Sequence, residues 1–332
     1  MKLKDLLLTI STILIILLVS ELILRFKGSK PRNTFDFIIN EPLTNKVDPI
    51  LGWLPIIGKH KFKPWSNEGK ITYLTINNDH SRSTSIEKIN NKKIIFIGGS
   101  LTQGWAVDDQ ETFTSLIQKK NPKYEIYNYG VGGYGGYQSL LFLEKIFKEN
   151  SDIELVVYGF IPHHEVRNVA AGSWMFLLNL FSTRGFVSLP YASLDKNNNL
   201  IKNQPTSYIN LPLGTKSSLV AKIEKKIMKI KSFARERKQT EISKTIINKM
   251  NLLSLKNNSK FKFLILEDLN EKKFLSYKTF MNTNNISYIN CPMPRGMSSL
   301  GESYSVKGDG HPNYLSHAAT SECINKYLKK KF

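Results

Sequence analysis

Apolar positions fall into three patterns along the chain. The first is an unbroken run over residues 6–24, LLLTISTILIILLVSELIL, with Glu21 as its only charge. Its length approaches the ~20 residues an α-helix needs to cross the hydrocarbon core of a bilayer. Lys2 and Lys4 precede it, as in a signal peptide, but Val19-Ser20-Glu21-Leu22 offers no small-residue cleavage site. The run predicts an uncleaved N-terminal membrane anchor.

The second pattern begins near residue 92, where short apolar runs alternate with helix-period stretches. A buried strand is expected over 94–97, then a helix over 112–120 with Phe113, Leu116 and Ile117 on one face. A strand over 124–128 follows, then a helix over 138–148 whose apolar face is Leu140, Leu141, Leu143 and Phe147, then a strand over 155–160. The pattern resumes with a strand over 261–266, a helix near 271–282 and a last strand over 286–291. Such alternation predicts an α/β domain with a parallel sheet and flanking helices. Ligands then bind beyond the carboxyl ends of the strands.

The third pattern is irregular. Residues 28–42 read as a polar stalk, and 70–77 alternate as a strand expected to pack on the edge of the main domain, with Trp53 and Trp65 filling that interface. Residues 170–258 interrupt the alternation. Their apolar run Trp174-Met175-Phe176-Leu177-Leu178 is too short to span a bilayer and is expected to pack the insertion onto the domain. A hairpin is expected over 189–201. A basic amphipathic helix is expected over 216–237, with Val220, Ile223, Ile227 and Ile230 at three-four spacing and its lysines as a solvated face.

Charge narrows the possible partners. The net charge is +20, mostly from lysine. A basic surface suits anionic lipid or polysaccharide. Nucleic acid is not expected, because no recognition motif is present and the membrane segment points elsewhere. Two cysteines exclude a disulfide-rich scaffold and offer no zinc spacing; Cys291 and Cys323 either pair in an exported domain or stay as buried thiols.

Candidate chemistry lies at strand ends. Gly98-Gly99-Ser100-Leu101-Thr102 follows the first buried strand. A serine hydroxyl becomes a competent nucleophile when a base, usually an imidazole, takes its proton. Asp309-Gly310-His311-Pro312-Asn313 supplies an imidazole and a carboxylate near the C-terminus. A phosphate loop would need lysine after Gly104, where Trp105 stands. The α/β-hydrolase elbow Gly-x-Ser-x-Gly fails at Thr102, and that fold separates its acid from its histidine in sequence.

Together with Asn128-Tyr129-Gly130-Val131-Gly132-Gly133-Tyr134-Gly135, these blocks resemble the SGNH (GDSL-type) esterase and acyltransferase family, of the membrane-anchored bacterial type, over about residues 91–332. The family's third block, Gly-x-Asn-Asp, is not matched; the corresponding strand end reads Tyr158-Gly159-Phe160-Ile161-Pro162-His163-His164-Glu165-Val166-Arg167-Asn168. The resemblance implies a three-layer α/β/α flavodoxin-like parallel sheet. It also implies an anchor over 1–25, a stalk and small β segment over 26–90, and a catalytic domain over 91–332 with its insertion at about 170–258.

In that resemblance Ser100 is the nucleophile and His311 the general base. Asp309 either holds the imidazole or caps the turn, since it stands two residues before His311 where the family usually has three. Ser100 and Gly133 are the expected backbone oxyanion donors. His163, His164 and Asn168 are candidates for the side-chain donor, with His164 chosen by position. No cofactor or metal is called for. The implied activity is that of a serine esterase or O-acyltransferase on acyl, above all acetyl, esters of a cell-surface glycan, with the domain outside the cell membrane. Trp174, Phe176 and Tyr191 are candidates to stack on sugar rings. A non-catalytic glycan-binding protein on the same fold and a lipid or thioester hydrolase are the alternatives.

Overall fold

The computed structural model describes residues 3–32, 44–63, 70–84, 92–181 and 187–329. Most of the expected stalk and Trp65 lie outside these residues. The chain begins with α1 (Leu3–Phe26), none of whose residues is buried. That is the reverse of a core helix, and one helix of the described residues has the length and hydropathy to cross a membrane.

Two small antiparallel pairs follow: β1 (Asn45–Asp48) with β2 (Gly52–Pro55), and β3 (Gly58–Phe62) with β4 (Thr72–Ile76). Arg82, just beyond β4, fastens them to the domain. Its backbone N–H donates to Asn128 O at 2.7 Å. Its fully buried guanidinium pairs with Asp109 at 3.0 Å and donates to the carbonyls of Gln103, Gly104, Val107 and Tyr73. The edge packing expected for this segment is therefore built around one arginine.

The domain then runs through β5 (Lys93–Gly98), α2 (Ser100–Gln103), α3 (Phe113–Lys120), β6 (Glu125–Gly130), α4 (Gly136–Glu149), β7 (Ile153–Phe160) and α5 (His164–Asn168). The insertion supplies α6 (Gly172–Phe181), the hairpin β8 (Ser188–Leu194) and β9 (Leu200–Ser207), α7 (Ser218–Glu236) and α8 (Gln239–Lys256). The chain closes with β10 (Lys260–Ile265), α9 (Glu271–Thr283), β11 (Ser287–Asn290) and α10 (Tyr314–Lys329).

The main sheet has the order β11-β10-β7-β5-β6, and every pairing within it is parallel. In chain order of its own strands this is 2-1-3-4-5, the flavodoxin-like arrangement, whose strand order reverses beside the first strand. Side chains alternate across the sheet as the period-two rule requires. Ile95, Ile97, Val156 and Phe263 enter one core, and Ile94, Phe96, Val157 and Leu264 enter the other. The expected three-layer α/β/α fold is what the chain forms.

Two helix faces differ from expectation. On α4 the buried apolar residues are Leu140, Phe142, Leu143 and Ile146, while Leu141 and Phe147 are half-buried. The helix packs on α8 and β8 as well as on the sheet, so its covered face is wider than one stripe. On α7 the buried residues are Ser218, Ala221, Glu224, Met228 and Ser232, whereas Ile223 and Ile230 are exposed. Polar partners choose that inner face. Glu224 binds Arg32 at 2.9 Å and accepts from Leu211 N–H, and Ser232 Oγ accepts from Gly172 N–H. A Cβ on Gly172 would stand 3.1 Å from the backbone of Met228 and Lys229, so α6 and α7 meet nearly backbone to backbone.

Candidate active site

Ser100 opens α2 at the carboxyl end of β5, beside the reversal in strand order. His311 Nε2 stands 3.1 Å from Ser100 Oγ, and His311 Nδ1 stands 2.5 Å from Asp309 Oδ1. The structure thus brings Ser100 together with Asp309 and His311 from the opposite end of the domain. The short Asp-x-His spacing works because the loop folds back on itself. Gly308 and Gly310 take φ of 79° and 82°, a region that favours glycine, and the N–H groups of Asp309 and Gly310 both donate to Val306 O. Asp309 Oδ1 also accepts the His311 backbone N–H at 3.1 Å, so this residue both closes the turn and holds the imidazole.

The Asp309 side chain is wholly buried. Burial pushes its pKa up, but the hydrogen bond and charge of His311, the His311 amide and Trp105 together outweigh it, and the carboxyl is held below its usual value. Opposite an ionised carboxylate, Nδ1 is the proton-bearing nitrogen, which leaves Nε2 to accept from Ser100. Trp105 Nε1 donates to Asp309 Oδ2 at 3.3 Å, and its ring lies 6.3 Å from that of His311. Sequence reading used Trp105 only to exclude a phosphate loop. No local signal marks its contact with a residue so distant in the chain.

The backbone N–H groups of Ser100 and Gly133 donate to no carbonyl or side chain among the described residues. The Gly133 loop is walled by two indoles: a Cβ there would lie 2.9 Å from Trp53 Cζ2 and 3.7 Å from Trp174 Cζ2. Trp53 Nε1 donates to Gly132 O at 3.0 Å, and Tyr134 Oη donates to Trp53 O. The small N-terminal β segment thereby fixes the second block.

The strand end that lacks the third block is occupied differently by each candidate. His163 is exposed and meets Trp174 edge-on at 5.5 Å. Asn168 is spent on structure: Oδ1 accepts Tyr137 N–H and Nδ2 donates to Ser243 Oγ, both at 2.8 Å. His164 is buried, with Nδ1 bonded to Tyr158 Oη at 2.8 Å and Nε2 only 2.7 Å from where a Gly99 Cβ would be. Burial, then the Arg167 charge, then His163 hold the His164 pKa well below its usual value, so the ring is neutral at neutral pH.

Arg167, not singled out from sequence, reaches the same place. Its Nη1 donates to Tyr134 O at 2.9 Å and lies 3.2 Å from the Gly99 Cβ position. Its guanidinium stacks on Trp174, 4.5 Å from the ring centroid. Arg167 therefore spans the residue before Ser100 and the residue after Gly133. Burial lowers its pKa to about 10, which still leaves it cationic at neutral pH. The available signal was a single arginine in the turn that follows an apolar strand. His164 Nε2, Arg167 Nε and Trp174 Nε1 are all buried without a hydrogen-bond partner among the described residues. Buried polar atoms are nearly always paired, so water or a polar ligand group is the partner these atoms call for.

The other aromatic candidates are occupied. Lys225 lies over the Phe176 ring at 4.0 Å and Arg235 over the Tyr191 ring at 4.5 Å, as Arg167 lies over Trp174. His317 is structural. It is buried, stacks on Phe113 and accepts Phe113 N–H at Nδ1. Among the described residues no group of three His, Cys, Asp or Glu gathers to hold a metal ion.

No protein-family model matches the chain, and no curated protein matches it. Solved structures similar to it include TesA, at 12% identity and TM-score 0.43, over 72% of this chain and 99% of that one. The esterase EstA from Pseudoalteromonas sp., in a form inhibited by monoethylphosphonate, matches at 12% identity and TM-score 0.43, over 72% of this chain and 97% of that one. A GDSL-like lipase from Bacteroides thetaiotaomicron matches at 15% identity and TM-score 0.39, over 75% and 93%. These are distant likenesses, and the site's own geometry has to carry the chemistry.

Proposed function

We propose that this chain is a membrane-anchored serine esterase or O-acyltransferase that works through an acyl-Ser100 intermediate. The observation that carries this reading is the continuous relay Ser100 Oγ–His311–Asp309, in hydrogen-bond register at 3.1 Å and 2.5 Å. In the proposed reaction His311 Nε2 takes the Ser100 proton as Oγ attacks the ester carbonyl. The new oxyanion is met by the N–H groups of Ser100 and Gly133, with Arg167 as the charged side-chain donor and His164 behind it. His311 then gives its proton to the departing alcohol as the ester C–O bond breaks. A second hydroxyl, from water or from a sugar, loses its proton to His311 and attacks the acyl carbon, which frees Ser100. The same relay weighs against a purely binding role, because such a role needs no base aligned on a serine.

The glycan reading rests on charge: the net charge of +20 favours an acidic polymer. The lipid-hydrolase alternative stands beside it: Trp174 and Met175 of the apolar run are buried, whereas Phe176, Leu177 and Leu178 are half-buried. A location outside the membrane is supported by the Cys291–Cys323 bridge, since such bonds persist in oxidising compartments.

The test is labelling of the purified full chain with a fluorophosphonate, beside turnover of an aryl acetate. Wild type should be labelled at Ser100 and turn over. Ser100→Ala should lose both, with kcat down by ~10⁴-fold or more. Unchanged turnover in Ser100→Ala would refute the assignment. Acetyl partition between water and candidate oligosaccharides, read by mass spectrometry, separates esterase from transferase.

A further inference from the structure

We propose that the outer face of α7 is a membrane-docking surface that lies on an anionic bilayer beside α1, holding the domain against the membrane. The inference rests on α1 being a retained anchor and goes beyond the catalytic assignment.

The first observation is the fate of Glu21, the only charge within residues 6–24. It does not simply face solvent. Its Oε1 accepts Ser218 N–H at 3.0 Å, and its Oε2 accepts Leu219 N–H at 2.8 Å and Ser217 Oγ–H at 2.9 Å. Glu21 therefore caps the first turn of α7, satisfying orphan amides there. Arg25, paired with Glu21 at 2.6 Å, donates to Lys216 O at 2.7 Å. Ser218 Oγ donates to Ser29 O, Arg32 N–H donates to Gly214 O, and Arg32 pairs with Glu224. The two helices are thus joined at the end of the apolar span without a free linker, so α7 starts at the depth where α1 leaves the hydrocarbon.

The second observation is what α7 shows outward. Ile223 is 41% exposed, Ile230 68% and Phe233 54%, and Lys222, Lys226 and Lys229 are exposed on the same side. A face that is merely solvated gains nothing from large apolar side chains. Apolar residues flanked by lysines match a helix lying in the interfacial plane, with its apolar atoms among acyl chains and its ammonium groups at anionic headgroups. Charge selects among occupants. A second copy would set these lysines against their own images, whereas an anionic leaflet attracts each of them.

The consequence reaches the site. Arg235, near the far end of α7, donates to Val169 O and to Ala170 O, and Ser232 anchors Gly172. These residues link α5, which carries Arg167, to α6, which carries Trp174. A docked α7 sets the height of the Ser100 site above the bilayer.

The experiment uses the full chain in nanodiscs of phosphatidylcholine, with or without phosphatidylglycerol. Both native cysteines are paired, so an introduced one is the only free thiol. Spin labels are placed singly at Ile230→Cys, at the exposed α9 position Leu275→Cys and, within α1, at Leu14→Cys. In anionic nanodiscs the Ile230→Cys label should be several-fold less accessible to a water-soluble nickel chelate than the Leu275→Cys label. Combining it with Lys222→Glu, Lys226→Glu and Lys229→Glu should restore access. Equal access at the two positions, with Leu14→Cys immersed in lipid, overturns the docking surface and leaves the anchor standing. A water-accessible Leu14→Cys label overturns the anchor and the docking surface with it. Shielding at Ile230→Cys accompanied by spin–spin broadening means a second copy covers the face, and also overturns the proposal. Aryl acetate turnover, measured in parallel, reports the catalytic assignment independently.

Discussion

At the scale of single residues, the departure from the expected pattern lies beside Gly99. Arg167 and His164 both approach it, one cationic and one neutral, and in the proposed reaction they stand in for the missing amide donor. A permanent charge beside a developing oxyanion stabilises the transition state more than the ground state, so its removal should appear in kcat and not in KM. Arg167→Gln is expected to lower kcat by ~10²–10³-fold, and Arg167→Lys by less. His164→Asn should cost less than Arg167→Gln, because His164 is neutral and its other nitrogen is bound to Tyr158. Steady-state kinetics on an aryl acetate checks both. An Arg167→Gln enzyme changed only in KM for anionic substrates would make Arg167 a substrate-charge reader. Ser100, His311 and Gly133 were legible as sequence because strand-end glycines and a Gly-flanked histidine form local signatures. Arg167 and Trp105 were not, because their roles depend on side chains that arrive from other strands.

At the scale of elements, the loop between β11 and α10 matters most. Cys291 follows β11 and Cys323 lies within α10, bridged at a Cα–Cα distance of 5.8 Å across 32 positions. Asp309 and His311 lie inside that closed loop. Closing a loop of this length removes unfolded-state entropy worth about 3–4 kcal/mol. The double variant Cys291→Ala, Cys323→Ala should lower Tm accordingly, and the folded fraction should lose turnover as the His311 loop loosens. Thermal melts and kinetics at one temperature, on oxidised and double-variant protein, separate the two effects. A lower Tm with unchanged turnover would make the bridge a stability device alone. Sequence left the pairing of these cysteines open, since only the path of β11 and α10 brings them together.

At the scale of the whole molecule, buried histidines couple the fold to pH. His317 is pushed down to about 3 by burial first, then by the charges of Arg82 and His311, and His164 moves in the same direction. Unfolded, both titrate near ~6.5. Between about 6.5 and 3 the unfolded chain therefore binds protons that the native chain refuses, so stability rises with pH across that window. On acidification it is lost from about pH 6.5 downward, by roughly 2 kcal/mol at pH 5 for one such histidine. Tm measured from pH 7.5 to 5 should fall, and His317→Gln, which keeps an acceptor for Phe113 N–H, should flatten the slope. A variant melting with the wild-type slope would move the effect to other groups.

Periodicity alone determined the apolar span, the βαβαβ alternation and the hairpin, because each depends on neighbours a few residues apart. Local motifs likewise singled out Ser100 and His311, which the fold brings to 3.1 Å from each other. The tertiary structure decided three further things. It set which face of α7 is covered, since Glu224 and Ser232 find polar partners on α6 and beyond Phe26 while Ile223 and Ile230 stay exposed. It let Asp309 reach Nδ1 at a spacing of two, through a glycine turn whose φ angles no residue pattern displays. It also put Arg167 and Trp105 at the site. Periodicity reports how far a residue is from water on its own element, whereas a site is assembled from residues on different elements, and only the packed sheet brings those together.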